Sequence, residues 1–135
     1  MITPETARPG TIVAVRVGQI WHEGIVSDRR DADGLPLVVN KSKRTRRVDE
    51  EPFRVFAPRG SRVRVIGYPS KLPATLVLER ARTRIGEPWS LRENCERFCR
   101  SCHSSRGRSG RSPTVELVGA VAGVLISGLG RVLRT

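Results

Sequence analysis

The stretch PWSLRENCERFCRSC, residues 88–102, contains all three cysteines of this 135-residue chain. Asn94 is a favourable residue for the N-cap of a helix, and the apolar residues after it recur at spacings of three and four. That period places four side chains on one helix face: Cys95, Phe98, Cys99 and Cys102. The sequence therefore predicts a helix that begins near Asn94 and turns its cysteines toward a core.

The residues before this helix have the two-residue period of short β-strands. TIVAVRV, residues 11–17, and SRVRVIGY, residues 61–68, both alternate in this way. HEGIVSD, residues 22–28, and PLVVN, residues 36–40, are joined by a segment whose Asp33-Gly34 step is a strong turn signal. We therefore expect these last two strands to form a hairpin.

A second helix is predicted from Pro73, where the apolar period becomes that of a helix. Its apolar face would consist of Ala74, Val77, Leu78, Ala81 and Ile85, and Gly86 is placed to end it. The predicted fold is accordingly α+β. A small antiparallel β-sheet packs on helices, and a cysteine stands at the N-terminus of one helix.

The chain is strongly basic, with a formal net charge of +12 that comes almost entirely from arginine. Such a charge favours anionic partners, including acidic lipid headgroups and nucleic acid. Nucleic-acid modules interleave basic groups with stacking aromatic residues, which are scarce here. An anionic membrane surface is the expected partner and nucleic acid is disfavoured. The basic run KSKRTRR, residues 41–47, is expected to be a solvated loop.

The N-terminal residues MITPETARPG lack the basic and apolar regions of a signal peptide, so we expect them to stay on the mature protein. An odd number of cysteines in one short segment argues against a disulfide framework. Free thiols are typical of a reducing compartment, which predicts a cytoplasmic protein.

The cysteine spacing also matches metal motifs. CERFCRSC has the C-x3-C-x2-C spacing of an iron–sulfur loop, CRSCH has the C-x-x-C-H spacing of haem attachment, and His103 could complete a zinc site. Cysteines on one helix face, however, are spread along the helix axis and do not converge on a point. We therefore expect no metal and no cofactor, with Cys99 and Cys102 as small buried hydrophobic residues.

Cys95 differs from the other cysteines because it occupies the start of the predicted helix. Unpaired N–H groups and the positive end of the helix dipole stabilise a thiolate there, and the same groups can bind an oxyanion. A cysteine nucleophile also needs a base. His103 lies two turns along the same helix, so His22 is the candidate base. Asn40, on the partner strand of the hairpin, has the parity to orient His22, which gives a Cys–His–Asn arrangement.

The residues around these positions resemble the permuted NlpC/P60 thiol enzymes of the lecithin:retinol acyltransferase (LRAT) type. The resemblance runs from about Pro9 to His103, and four pieces carry it: WHEGIV, PLVVNKSKR, EEPFRVFAPRGSRVRVIGYP and IGEPWSLRENCERFC. Its most specific part is the NCE-x-F core at residues 94–98, preceded by WSL at residues 89–91.

The resemblance implies a papain-like core with Cys95 as nucleophile and His22 as base. It also implies acyl transfer through a thioester, often of lipid acyl chains. The family often has a second histidine where this chain has Asn40, and usually reads NCEHF where this chain has Arg97. An amide can still bond the imidazole, so the triad is retained, whereas Arg97 bears on substrate or partner contacts. The candidate substrate or oxyanion region consists of Asn94, Trp89 and Trp21.

The chain is predicted to divide into three segments. Residues 1–103 form the catalytic domain, SSRGRSGRSP at residues 104–113 is a linker, and residues 114–135 form an apolar glycine-rich tail. Fourteen uncharged residues separate Glu116 from Arg131, fewer than the ~20 that span a bilayer as a helix. The tail is either a partly inserted membrane anchor or a packed closing helix, and the resemblance favours the anchor.

Three functions follow, in order of preference. The first is a thiol acyltransferase or phospholipase that acts on a lipid or another acyl ester. The second keeps the triad but cleaves an amide, as a small cysteine peptidase or amidase does. The third is a basic lipid- or nucleic-acid-binding module without turnover.

Overall fold

The computed structural model describes residues 3–90 and 93–104, which form a five-stranded antiparallel sheet with helices on both faces. The strands are β1 (Ile12–Val17), β2 (Ile20–Arg30), β3 (Pro36–Lys41), β4 (Val48–Pro52) and β5 (Val63–Gly67). The helices are a short 3-10 turn (Pro4–Thr6), α1 (Phe53–Phe56), α2 (Ala74–Thr83) and α3 (Cys95–Cys102). The strand order in the sheet is β4-β3-β2-β1-β5. The prediction of an α+β fold with a small antiparallel sheet is confirmed.

Both faces of the sheet are buried, and successive residues of each strand point to opposite faces. One face packs on α2 and α3 through Ile12, Ile25 and Val39. The other face packs on α1 through Val13, Val15, Val26 and Val38. Both sides of β1 are therefore buried.

The predicted hairpin of β2 and β3 is present. Asp31 closes the turn by accepting a hydrogen bond at Oδ1 from the N–H group of Asp33 (2.8 Å), and Gly34 adopts a φ of +82°. This left-handed conformation favours glycine. The antiparallel register pairs Gly24 with Asn40, which places the middle of β2 beside the end of β3.

Strand β4 is not predicted by the sequence, because its residues VDEEP have no apolar alternation. It pairs with β3 along its whole length. The chain that follows α2 returns to β4. Gly86 donates its N–H to the Val48 carbonyl (2.8 Å), and Val48 donates to the Glu87 carbonyl (2.9 Å).

This return also corrects the predicted end of the second helix. Helix α2 ends at Thr83, and Gly86, with a φ of +93°, directs the chain back toward the sheet. Val77, Leu78 and Ala81 are buried as expected. The side chain of Ile85 is 44% exposed, so it does not belong to the buried face.

The basic run at residues 41–47 is only partly the solvated loop that its composition suggests. Lys41 and Ser42 are both buried, whereas most of the residues that follow them are exposed. Lys41 still belongs to β3, so its position in the sheet decides its burial.

Helix α3 begins where the sequence predicts. The Asn94 side chain accepts a hydrogen bond at Oδ1 from the Arg97 N–H (2.9 Å), which is the expected N-cap. Phe98, Cys99 and Cys102 are buried against the sheet and α2.

The described residues end at Ser104. The rest of the predicted linker and the whole predicted tail, residues 105–135, lie outside them, as do Leu91 and Arg92. Within the described ranges, every helix is too short or too polar to cross a membrane.

Candidate active site

Cys95 lies at an open edge of β2. Pairing between β2 and β3 begins at Gly24, and Val26 N–H donates toward β1, to the Thr11 carbonyl. In an antiparallel ladder the hydrogen-bonding direction alternates, so the odd-numbered residues of β2 direct their backbone groups toward β3. At residues 21–23, beyond the last pair between β2 and β3, the Cys95 sulfur contacts the backbone groups on that edge of β2.

Two backbone groups of β2 contact that sulfur. The Glu23 N–H donates to Cys95 Sγ at 3.3 Å, and the thiol lies 4.0 Å from the Trp21 carbonyl oxygen. These two residues flank His22 in the sequence. The first turn of α3 is therefore docked directly onto the part of β2 that carries the candidate base.

His22 and Asn40 are joined by a buried hydrogen bond of 3.0 Å between His22 Nε2 and Asn40 Oδ1. The Asn40 amide nitrogen is engaged elsewhere, because it donates to the Val38 carbonyl (3.3 Å) and to Glu51 Oε1 (3.1 Å). Asn40 Oδ1 must then be the acceptor, and His22 Nε2 carries the proton. His22 Nδ1 consequently keeps its lone pair, as a general base requires. The juxtaposition inferred from strand parity is present.

Glu51 supports this pair from β4, and the sequence analysis missed it. Its buried carboxylate accepts hydrogen bonds from Asn40 Nδ2, from Ser42 Oγ (2.9 Å) and from the Arg44 guanidinium (2.9 Å). Glu51 therefore fixes the orientation of the Asn40 amide. Its signal in the sequence is an acidic residue two positions before the buried Phe53, and this signal is recognisable only once β4 is known.

Burial sets the protonation of Cys95 and corrects the expectation of a preformed thiolate. Desolvation raises the pKa of the Cys95 thiol above its ordinary value of 9.0. The N–H groups of Glu23, Glu96 and Cys95 itself lower that pKa, but they do not outweigh the burial. The thiol is therefore protonated near neutral pH.

Burial also dominates at His22. Desolvation lowers the pKa of its imidazole below 6.5, while the hydrogen bond with Asn40 acts in the opposite direction. Nearby Lys43 lowers the same pKa further. His22 is therefore neutral near pH 7 and able to accept a proton. The Cys95 thiol and the His22 imidazole are therefore both in their neutral forms near pH 7.

Two of the three residues of the expected substrate or oxyanion region adjoin Cys95: Asn94 precedes it in the chain, and the Trp21 carbonyl contacts its sulfur. Asn94 uses its side chain as the cap of α3. Trp21 contacts the sulfur through its backbone, and its ring lies under the guanidinium of Arg64, 4.1 Å from the ring centroid. Trp89 is 40% exposed and lines a groove beside Arg46.

Glu23 lies beside the sulfur, and like Glu51 it is a site residue that the sequence alone does not reveal. Its side chain is buried, and its Oε1 has no hydrogen-bond partner among the described residues. Burial raises the pKa of this carboxyl group, and Arg100 lowers it. Because its carboxylate charge disfavours a thiolate on Cys95, Glu23 helps to keep the thiol protonated.

The side chain of His22 lines a pocket of about 220 Å³. Its polar wall includes His22, Asn40 and Ser42, and Lys43 and Arg44 line it as well. Its apolar wall consists of Val17, Val55, Phe56 and Pro58. The Phe56 ring centroid lies 5.6 Å from that of His22. A ligand in this pocket would rest against the His22–Asn40 pair.

The second histidine is part of the fold. His103 Nδ1 is hydrogen-bonded with Ser70 Oγ (2.8 Å), and its Nε2 with the Gly10 carbonyl (2.8 Å). Tyr68 packs edge-on against its ring. Within residues 3–90 and 93–104, no group of three or more histidine, cysteine or acidic side chains is placed to hold a metal ion.

Comparison with known proteins gives no match: no family model matches the chain, and no curated protein does. The resemblance to LRAT-type enzymes therefore rests on the motifs around His22, Asn40 and Cys95.

Proposed function

We propose that this protein is a thiol acyltransferase or hydrolase of the LRAT type, with Cys95 as nucleophile and His22 as base. The observation that carries the proposal is the buried His22–Asn40 hydrogen bond on a strand whose backbone, on either side of His22, contacts the Cys95 sulfur. The hydrogen bond uses His22 Nε2 and leaves the lone pair of Nδ1 free to accept a proton. The residues before and after His22, Trp21 and Glu23, contact Cys95 Sγ through their backbones. Asn40 is the orienting residue, and Glu51 holds Asn40 in place.

In the acylation step, Sγ attacks the carbonyl carbon of the acyl donor while its proton moves to His22 Nδ1. The carbonyl electrons move to oxygen, and the N–H groups of Glu23, Cys95 and Glu96 are the available donors around the sulfur. The bond from carbon to the leaving oxygen then breaks, and His22 returns the proton to that oxygen. A thioester on Cys95 remains.

In the second step, water or an alcohol acceptor attacks the thioester and loses its proton to His22. The carbon–sulfur bond breaks, and the sulfur regains that proton as a thiol. Water gives hydrolysis, and an alcohol gives transfer. Because the thiol and the imidazole both start in their neutral forms, the proton moves to His22 during each attack. This is general base catalysis, and it differs from the reaction of a preformed thiolate.

The proposed substrate is a lipid or other acyl ester presented at an anionic surface. The support for it is the net charge of +12 and the guanidinium groups of Arg16 and Arg64 on the ring of Trp21, the residue whose carbonyl contacts the Cys95 sulfur. Arginine at an anionic membrane gains electrostatic attraction. A permuted NlpC/P60 core, a cytoplasmic location and association with the membrane through residues 114–135 belong to the same proposal.

Trapping of the acyl group tests the chemistry. The protein is incubated with p-nitrophenyl esters, phospholipid vesicles and N-acyl peptides, and its intact mass is measured. We expect an adduct with the mass of the acyl group, sensitive to hydroxylamine and mapped to Cys95. Cys95→Ala should abolish it, whereas Cys102→Ala, which removes a buried thiol of the same helix, should retain it.

The pattern across the panel separates the candidate functions. Adducts from esters support the acyltransferase or phospholipase, and adducts from N-acyl peptides alone would make the amidase the better description. A folded protein that forms no adduct with any member, or an adduct that persists in Cys95→Ala, would contradict a thiol enzyme.

A further inference from the structure

Lys41 is a buried lysine, with 1% of its surface exposed. Its Nζ donates to the backbone carbonyl of Glu93 (2.8 Å) and forms an ion pair with Glu93 Oε1 (3.3 Å). Burial of an ion pair is seldom favourable for stability, because desolvation offsets the attraction. An apolar residue of similar size could fill this position, so stability alone does not account for the lysine.

The position of Lys41 suggests what it does. Asn40 and Lys41 are the last two residues of β3, and successive side chains of a strand point to opposite faces. Asn40 binds the candidate base on one face. Lys41 binds the chain just before Cys95, because Glu93 directly precedes the N-cap Asn94.

The end of β3 thus contacts both halves of the candidate active site. This matters because β3 stops where Cys95 reaches the edge of β2. There the sulfur contacts β2 through the Glu23 N–H (3.3 Å) and the Trp21 carbonyl (4.0 Å), which are contacts to a side chain and do not hold the main chain before Cys95. The Glu93 carboxylate also pairs with Arg84, but Lys41 reaches the backbone carbonyl of Glu93. Lys41 therefore restrains the main chain itself, two residues before the nucleophile.

We infer that Lys41 is a positioning residue, which holds the first turn of α3 so that Cys95 Sγ stays within reach of His22. This inference rests on the proposed function. Lys41 does not touch the reacting atoms and acts through Glu93. Asn40 and Lys41, the last two residues of β3, then together set the distance between His22 and Cys95.

The test is Lys41→Met, which keeps most of the side-chain volume and removes the ammonium group. Glu93 keeps Arg84 as a partner, so no carboxylate is left without a cation. We expect kcat for acylation by a p-nitrophenyl ester to fall by about tenfold to a hundredfold, with KM changed far less, because a misplacement of about 1 Å costs that much. Lys41→Arg should recover part of the loss, and Lys71→Met, at an exposed lysine, should change neither constant.

A second measurement does not depend on turnover. The alkylation rate of Cys95 is measured against pH in the wild type, in His22→Gln and in Lys41→Met. We expect Lys41→Met to lose the same His22-dependent part of the profile that His22→Gln loses. A folded Lys41→Met with wild-type kcat and a wild-type alkylation profile would overturn the inference. If Lys41→Met does not fold, Lys41→Arg decides: a partial loss of the His22-dependent part of the profile supports the inference, and a wild-type profile contradicts it.

These measurements separate the two proposals. A wild type that forms no acyl adduct removes the proposed function, while the alkylation profiles still report whether Lys41 aligns Cys95 with His22. An acyl adduct together with unchanged Lys41→Met kinetics removes only the role of Lys41.

Discussion

The Cys95 thiol is half buried between β2 and the first turn of α3, and its surroundings favour the protonated form. Its own helix N-terminus supplies N–H groups that oppose this preference, but desolvation is the larger effect. The imidazole of His22 is shifted toward its neutral form for the same reason. The pair therefore differs from a thiolate–imidazolium pair, and the two arrangements predict different dependence on pH.

The pH dependence of acylation is the first prediction. His22 acts as base only when neutral, and its pKa lies below 6.5, so kcat/KM should stay level near neutrality and fall as the pH drops below 6.5. Because the pKa of Cys95 lies above 9.0, its thiolate should appear only in alkaline solution. The measurements are the pH–rate profile and the ultraviolet difference absorbance of wild type against Cys95→Ala. Thiolate absorbance at weakly acidic pH would contradict the neutral pair.

The second prediction separates the base from its orienting residue. His22→Ala should lower the acylation rate by about 10²–10⁴-fold, the usual contribution of a general base. Asn40→Ala should lower it less, because the imidazole remains and only its orientation and tautomer are released. Both rates are read from the p-nitrophenolate burst. His103→Ala is the control, and it should reduce stability while leaving the burst rate of the folded protein unchanged. A larger loss of rate in His103→Ala than in His22→Ala would contradict the assignment.

At the scale of elements, the hairpin of β2 and β3 brings the base and its partner together through the small size of Gly24. A Cβ at this position would lie 2.5 Å from Val38 Cγ1, 2.9 Å from Phe56 Cε1 and 3.2 Å from Asn40 Cβ. Gly24 stands opposite Asn40 in the register, one residue after Glu23. Its small size lets Phe56 and Asn40 approach β2 next to His22.

Gly24→Ala is the third prediction. The added methyl group overpacks the α1 side of the sheet, so we expect a loss of about 1–3 kcal/mol in the free energy of unfolding, with a lower acylation rate as Asn40 is displaced. Urea denaturation and the ester burst measure the two effects. Val38→Ala removes the nearest clashing group, so the double variant should lose less than the sum of the single losses. Strict additivity would show that the contact with Val38 is not the cause.

Local patterns explain which elements the sequence predicts. The β2–β3 hairpin follows from apolar alternation and a turn signal within one segment, and the start of α3 follows from Asn94 and the spacing after it. Strand β4 could not be predicted in this way, since its VDEEP residues are stabilised by pairing with β3. The burial of Lys41 depends on Glu93, which lies 52 positions along the chain. The raised pKa of Cys95 follows from tertiary burial, which a helix-terminus argument does not include.

Over the whole molecule, part of the positive charge is used inside the structure. Arg82 pairs with Asp28 and Glu50, and the buried Arg84 pairs with Glu87 and Glu93. Other arginines lie on aromatic rings, as Arg8 does on Tyr68, Arg46 on Trp89 and Arg64 on Trp21. The net charge of +12 already subtracts the acidic partners of these ion pairs, and an arginine on an aromatic ring keeps its charge, so the excess remains for an anionic partner.

The fourth prediction concerns stability against pH. Burial lowers the pKa of both His22 and His103 below 6.5, so between the lowered pKa and 6.5 the unfolded chain binds more protons than the native protein. The free energy of unfolding should be level above about pH 6.5. It should fall as the pH drops below that value, by at most about 1.4 kcal/mol per pH unit for each histidine. Urea unfolding between pH 5 and 8 measures it.

The matched control is His103→Gln, which should remove one histidine's share of that slope and leave the share of His22. A stability that stays level down to pH 5 would contradict the burial of both imidazoles in their neutral forms.

The fifth prediction tests the proposed membrane partner by deletion of residues 114–135. The deletion removes an apolar run but only one net positive charge, since that segment contains Glu116, Arg131 and Arg134. Electrostatic attraction to anionic vesicles is therefore almost unchanged, so lost binding would report the apolar run. We expect the truncated protein to bind such vesicles much more weakly than the full chain at raised salt, where screening suppresses the charge contribution. It should still be acylated by a water-soluble ester, because Cys95, His22 and Asn40 all precede the deletion.

The opposite pattern would favour a packed closing helix. In that case the deletion would expose core and lower the melting temperature by many degrees, and the full chain would show no affinity for vesicles. A small water-soluble amide or ester would then become the better candidate substrate, with the chemistry at Cys95 unchanged. Vesicle sedimentation and thermal unfolding of both chains, measured side by side, distinguish a lipid anchor from a structural helix.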